Sequence, residues 1–313
     1  MKRFIAKHSP LFILAALCVA MAFYSESFRT TENFQSVAYR TAVIGIIATG
    51  QLAVILTAGI DLSVGSVAAL AGVVGCIAMK EYNIPVPLGI LLGMLTGLAC
   101  GLINGALCTK GRIPPFIVTL GMMMVARGLA LLLTGGEPIF GLPAGFAWLG
   151  GTETWWTPVL ITVALAVTFA ITLNFTRFGR SLYAIGGNRQ AARLSGIPVD
   201  RVRVGAFALC GALAGTAGMV LASRTSIASP NAAEMSELDA IAACVIGGAS
   251  LMGGEGGAIA SLAGALIMMV LRNFCNLENI EVYWQQVIVG SLIVALVFYD
   301  NHRKRKAGLL NDD

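Results

Sequence analysis

From Thr41 to Met79 the chain carries one carboxylate, Asp61, inside the string LTAGIDLSVGSVAALAG. An ionised side chain in a long apolar stretch is costly wherever water is excluded. Such a group is kept where it organises backbone, pairs with a cation or lines a path for a polar solute. Gly59, Ser63, Gly65 and Ser66 flank it; glycine loosens a helix, and hydroxyls can satisfy the backbone groups that loosening frees. Two compatible readings follow. Asp61 holds the N-terminus of the next helix, where negative charge suits the dipole, or it forms a polar part of the wall of a translocation path. Arg127, in FIVTLGMMMVARGLALLL, must likewise face protein, water or an anion. Its expected role is a structural ion pair with Asp61 or another carboxylate. A third group is Glu237 and Asp239, which stand at a predicted helix start, followed by a glycine cluster from Gly247 to Gly257. This segment is faintly like the one around Asp61, and repeated halves with broken helices are a known device of membrane transport proteins.

Other chemistries lack their residues. No G-x-x-x-x-G-K-[ST] phosphate loop, H-E-x-x-H or G-x-S-x-G occurs in the chain, so neither ATP hydrolysis nor the corresponding hydrolases have their reacting groups. The two histidines, His8 and His302, stand near the ends. The cysteines (Cys18, Cys76, Cys100, Cys108, Cys210, Cys244 and Cys275) show no metal-ligand spacing and read as small buried hydrophobes. No catalytic group, metal or cofactor is expected.

The elements that must position these residues are set by the solvent. Of 313 residues 57% are apolar and 12% charged, with mean hydropathy +0.81. That is the balance of a membrane protein. A bilayer core of about 30 Å takes about 20 apolar residues per helix. Apolar runs lie at 11–23, 41–60, 63–79, 85–108, 114–134, 157–175, 204–222, 238–252, 257–272 and 282–299. They are continuous rather than alternating, which favours helices over a barrel. The expected fold is all-α, a single polytopic domain over residues 1–313 with about ten transmembrane helices, broken near Asp61 and Gly247–Gly257. The first run ends at Ala20-Met21-Ala22, as a cleavable signal peptide would, but the count of ten retains it. Basic residues cluster at Lys2/Arg3/Lys7, Lys110/Arg112, Arg177 to Arg203 and Arg303 to Lys306. With ten crossings all four fall on one side, which the positive-inside rule makes cytoplasmic, both termini included. The net charge of +5 therefore reports orientation and not nucleic acid. Trp148, Trp155 and Trp156 then lie at the opposite interface.

Gly89, Gly93, Gly97, Gly101 and Gly105 repeat every four residues and form a flat seam for close helix packing within the subunit. The longest polar loop, 176–203, contains a punctuated short helix. Gly186-Gly187 breaks the chain and Asn188 can cap. Arg189 to Ser195, including Ala191, Ala192, Arg193 and Leu194, has helix-forming residues; Gly196 suits a left-handed end and Pro198 prevents continuation. Orientation explains the arginines, but a capped helix with an apolar side has the look of a docking knob.

Four strings in order, GIDLSVGS at 59–66, IPPFIVTLG at 113–121, YAIGGNRQAARLSGI at 183–197 and ELDAIAACVIGGASLMGGEGG at 237–257, resemble the ribose-type permeases of bacterial sugar ABC importers. The resemblance spans nearly the whole chain. It implies a permease in the bacterial inner membrane, paired with a second copy or a related permease, with two cytoplasmic ATPase subunits that bind the ATP, and with a periplasmic sugar-binding protein. It makes Asn188 to Gly196 the helix seated on the ATPase, and a monosaccharide or related polyol the cargo. The alternative is an ion-coupled secondary transporter of a small polar solute, in which Asp61 would bind a proton or sodium.

Overall fold

A computed structural model describes residues 14–306. The cluster at Lys2/Arg3/Lys7 and residues 307–313 lie outside it. Among the described residues the chain is helical, with one isolated backbone bridge between Ile139 and Ala228. The helices are α1 (Leu14–Tyr24), α2 (Thr31–Leu56), α3 (Val64–Glu81), α4 (Val86–Thr109), α5 (Pro115–Thr134), α6 (Trp156–Phe175), α7 (Arg177–Gly187), α8 (Arg189–Leu194), α9 (Val199–Thr225), α10 (Ser236–Ile246), α11 (Ala258–Leu277) and α12 (Val282–Lys306).

Local chemistry sets their ends. Thr30 accepts from Asn33 N and starts α2, ten residues before the apolar run begins, because a capped helix propagates through polar residues that hydropathy does not count. Pro115 opens α5, where a missing N–H costs nothing, and Gly135 closes it in the left-handed conformation. Among the described residues seven helices, α2 to α6, α9 and α11, are long and apolar enough to cross a bilayer. Helix α10 has eleven residues, about 16 Å at 1.5 Å per residue, too short to cross alone. The apolar run expected at 238–252 is thus a half-helix followed by a non-helical loop.

Helix α2 is the axis. Of its most apolar window 94% is buried, against 22% in α5, and α6, α9, α10 and α11 all pack on it. The outer helices turn side chains such as Leu91, Met124, Leu132 and Ile171 outward, as lipid allows. The seam on α4 closes mainly on α9. Each of Gly97 and Gly211 lies so near the other's carbonyl that an added Cβ would collide, and Gly105 lies against Val204. Only small residues permit two backbones to meet this closely, and the packing is inside one subunit, as expected.

Candidate functional site

The first break spans residues 57–63 between α2 and α3. Helix α2 brings Gln51, which has no exposed surface, to the backbone of Asp61. With its amide turned to match donors to acceptors, Gln51 donates to Asp61 O and accepts from Asp61 N, each at 3.1 Å. A single side chain thus replaces both backbone partners that the broken helix removes. The Asp61 carboxylate, 1% exposed, accepts from Ser63 N at 2.9 Å and Ser63 Oγ at 2.6 Å. Asn104 Nδ2 on α4 donates to Ser63 Oγ at 3.0 Å and reaches Asp61 at 3.5 Å. Thr119 on α5 donates to Ile60 O at 3.3 Å. Asn104 lies in the last two turns of α4, so Asp61 sits roughly 8 Å in from that end of the bundle. The cap position of α3 is Ser63, without a side-chain cap bond. Asp61 therefore holds the approach to the helix by a turn on Ser63 and does not cap its first residue.

The second break runs from Gly247 to Gly257, with positive φ at Gly248, Gly253, Gly254 and Gly256, conformations that a side chain would strain. It meets the first break directly. Gly254 N donates to Leu56 O at 3.1 Å, satisfying a carbonyl that the end of α2 leaves free, and a Cβ on Gly253 would stand 2.8 Å from Ala58 N. The two segments with a faint likeness in sequence are neighbours in space.

Helix α7 lies on that junction. A Cβ on Gly186 would collide with both Leu56 O and Gly254 N, and Tyr183 Oη donates to Gly256 O at 2.8 Å. Helix α7 falls in the segment expected as a polar loop. Thr176, which accepts from Gly179 N as a cap, and the spacing of Phe178, Leu182 and Ile185 were the available signals. Gln51 and Asn104 were also missed; a lone amide in an apolar run was the sign for Gln51.

The short helix forms as its punctuation required. Asn188 Oδ1 accepts from Ala191 N at 2.9 Å. Gly196 (φ +80°) ends it, with Gly196 N donating to Arg193 O and Ile197 N to Ala192 O. Ala192 is buried, whereas Leu194 is 89% exposed. Arg189 and Arg193 flank Asp200 at 3.7 and 3.4 Å; exposed as they are, these pairs contribute little to stability. Lys110 and Arg112 line a cleft of 1130 Å³ with Arg189, Arg193 and Arg203, so two of the basic clusters do share one end of the bundle.

The expected ion pair of Arg127 with Asp61 is corrected: among the described residues Arg127 makes no contact ion pair, and the Glu234 and Glu237 carboxylates act on its charge from beyond contact distance. Its guanidinium donates to Pro230 O and, at 3.0 Å, to Ala232 O, tying α5 to the loop before α10. Backbone carbonyls offer a cation the same acceptor chemistry without leaving any mark on side-chain composition. Glu237 and Asp239 do begin α10. Asp239 pairs with Arg272 on α11 at 2.6 Å, and Gly65 lies so near that its Cβ would stand 2.5 Å from a Glu237 carboxylate oxygen. Among the described residues no three His, Cys, Asp or Glu side chains gather to hold a metal ion.

Residues 33–297 match the model of the branched-chain amino acid transport system permease component. The chain belongs to this permease family. The permease is 39% identical over 313 residues to the ribose import permease protein RbsC of Escherichia coli strain K12, covering 97% of this chain and 96% of that one. It is 43% identical over 305 residues to RbsC of Bacillus subtilis strain 168, covering 96% and 94%. Against the xylose transport system permease protein XylH of Escherichia coli strain K12 it is 33% identical over 362 residues, covering 94% and 92%. No solved structure matches it. The region matched by the family model includes both breaks and the whole of α7 to α9, so the geometry above lies within what makes the permease a family member.

Since Arg127 is bonded to carbonyls, Asp61→Asn strands no cation in the permease. Its remaining carbonyl oxygen still accepts from Ser63, and it should insert and unfold close to wild type. Asp61→Ala leaves the Ser63 N–H and the Ser63 hydroxyl without the acceptor they share, at about 1–3 kcal/mol for each buried group. Its purified form should unfold several degrees lower. An Asn variant as unstable as the Ala variant would show that charge, not geometry, is what the break requires.

Proposed function

We propose that this chain is the membrane-spanning subunit of an ATP-driven importer for a monosaccharide: a ribose-like pentose, a hexose or a related polyol. The observation that carries the reading is the contact of α7 with both breaks at Gly186, directly before the outward-turned α8. A push on α8 from outside the bundle reaches the two places where the helices are already interrupted. ATP would be hydrolysed by two cytoplasmic subunits docked on α8, around Leu194. A second permease, identical or related, would complete the channel, and a periplasmic binding protein would deliver the sugar. The chain itself would hold no nucleotide or other cofactor. The grouping of Lys110/Arg112 with the 176–203 loop supports an orientation with that end, and both termini, in the cytoplasm of a bacterial inner membrane. The names of the ribose and xylose relatives support the cargo class.

The test is uptake of radiolabelled ribose, xylose and glucose into vesicles containing this permease with its ATPase and binding protein. Uptake of one of them should require internal ATP and persist when the proton gradient is collapsed at fixed ATP. Loss of uptake on collapsing the gradient alone would reject the reading in favour of an ion-coupled carrier.

A further inference from the structure

The basic cleft at the α7–α8 end includes a buried guanidinium with one donor that no described residue accepts. Arg203, on the first turns of α9, is 4% exposed, and its buried Nε has no hydrogen-bond partner. A buried guanidinium donor left unmade is costly. Lys110, Arg112, Arg189, Arg193 and Arg201 line the same 1130 Å³ space, and Asp200 is the one carboxylate among its lining residues. That carboxylate is already bracketed by Arg189 and Arg193. The N-terminus of α9 opens into the cleft as well, since Val199, Asp200 and Arg201 line it, and Pro198 gives it no side-chain cap. Unpaired N–H groups at a helix start and converging arginines both suit an oxyanion.

We propose that this cleft binds a phosphate ester, the headgroup phosphate of an anionic phospholipid. The lipid source is favoured over free phosphate by what adjoins the cations. Ile113, which lines the cleft, and Leu107, Phe116 and Ile117 beside it are exposed apolar side chains at the ends of α4 and α5. They offer acyl chains a surface that continues from the phosphate position. Orientation alone requires basic residues near a membrane surface; it does not require one of them to be buried without an acceptor.

The experiment uses the full-length permease purified in a neutral detergent, with lipid retention read by native mass spectrometry. Phosphatidylglycerol and phosphatidylcholine are offered in separate mixed micelles, and sodium phosphate is compared with sodium chloride at equal ionic strength. Wild type should retain phosphatidylglycerol in preference to phosphatidylcholine. Lys110→Gln with Arg112→Gln should weaken that preference about fivefold for each charge removed, and Arg203→Gln should weaken it at least as much. The exposed pair carries the test even if the Arg203 variant fails to fold. Arg177→Gln with Arg180→Gln, an equal loss of charge on α7 outside the cleft, should leave it unchanged. Displacement of the lipid by phosphate but not by chloride would support the same chemistry with a soluble source. Equal retention of the two lipids with no effect of phosphate would overturn the proposal. So would an equal loss in the α7 control, which would reduce the effect to general surface charge. Variants that keep wild-type lipid binding but no longer co-purify with an ATPase would assign the cleft to that protein instead, and would also overturn it.

Discussion

Gly186→Ala is expected to reduce ATP-driven uptake at least about tenfold while leaving the permease in the membrane, and Gly187→Ala is expected to do nothing. The added methyl at 186 would overlap Leu56 O and Gly254 N, whereas at 187 it would meet nothing within 4 Å. Neither glycine has a positive φ, so the two variants differ in space and not in backbone strain. Overpacking of this kind costs about 1–3 kcal/mol, and 1.4 kcal/mol already corresponds to tenfold. The neighbours at 186 are backbone, which cannot turn aside as a side chain can. Relief must come from α7 moving off the junction, the displacement that would disconnect α8 from both breaks. Uptake in vesicles, normalised to the monodisperse protein recovered, is the measurement. Wild-type uptake by Gly186→Ala would show that the junction has slack and that force does not pass through it.

Arg193→Glu with Leu194→Glu is expected to abolish sugar-stimulated ATP hydrolysis by the assembled complex without lowering the thermal stability of the isolated permease. Both side chains are exposed, Leu194 by 89%, and substitutions at such positions usually change stability by less than about 0.5 kcal/mol. Binding is another matter. Loss of a central interface anchor, a class in which arginine is enriched, costs about 2–4 kcal/mol, roughly 30-fold to 1000-fold in affinity. A glutamate there adds the penalty of an unpaired buried charge. Co-purification of the ATPase and its sugar-stimulated rate are read together. Full coupling in the double variant would place the docking surface elsewhere.

The sequence showed these elements unevenly, for physical reasons. Asp61 was conspicuous because a carboxylate in an apolar run has few uses, and Asn188 to Gly196 because caps are local and carry their own residue types. Gln51 was not, since one amide says nothing of the peptide it will reach. Nor was the meeting of the two breaks, which depends on Gly254 N finding Leu56 O across nearly two-thirds of the chain. Arg127 misled because its partners are carbonyls. Burial was hidden most completely. The most buried helices, α2 and α3, have mean hydropathy 1.5, while the outward-facing α4 and α5 reach 2.1. In lipid the outer surface is as apolar as the interior, where small and polar residues mix with large apolar ones such as Ile47, Leu52 and Phe207, so hydropathy no longer marks what is buried.

The central position of α2 has a consequence for how the protein is made. Helix α2 ends at Leu56, but α9, α10 and α11, which cover it, begin at Val199, Ser236 and Ala258. At translation rates of about 5–20 residues per second, α2 waits on the order of ten seconds for α9. During that interval the Gln51 amide and the unfinished turn at Asp61 have no partner from α9, α10 or α11 to close over them. The insertion machinery, or the nascent α3 and α4 alone, must shelter them from the hydrocarbon. A slow step in synthesis between residues 134 and 199 would lengthen that exposure and lower the yield of inserted protein, even with every contact of the finished bundle unchanged.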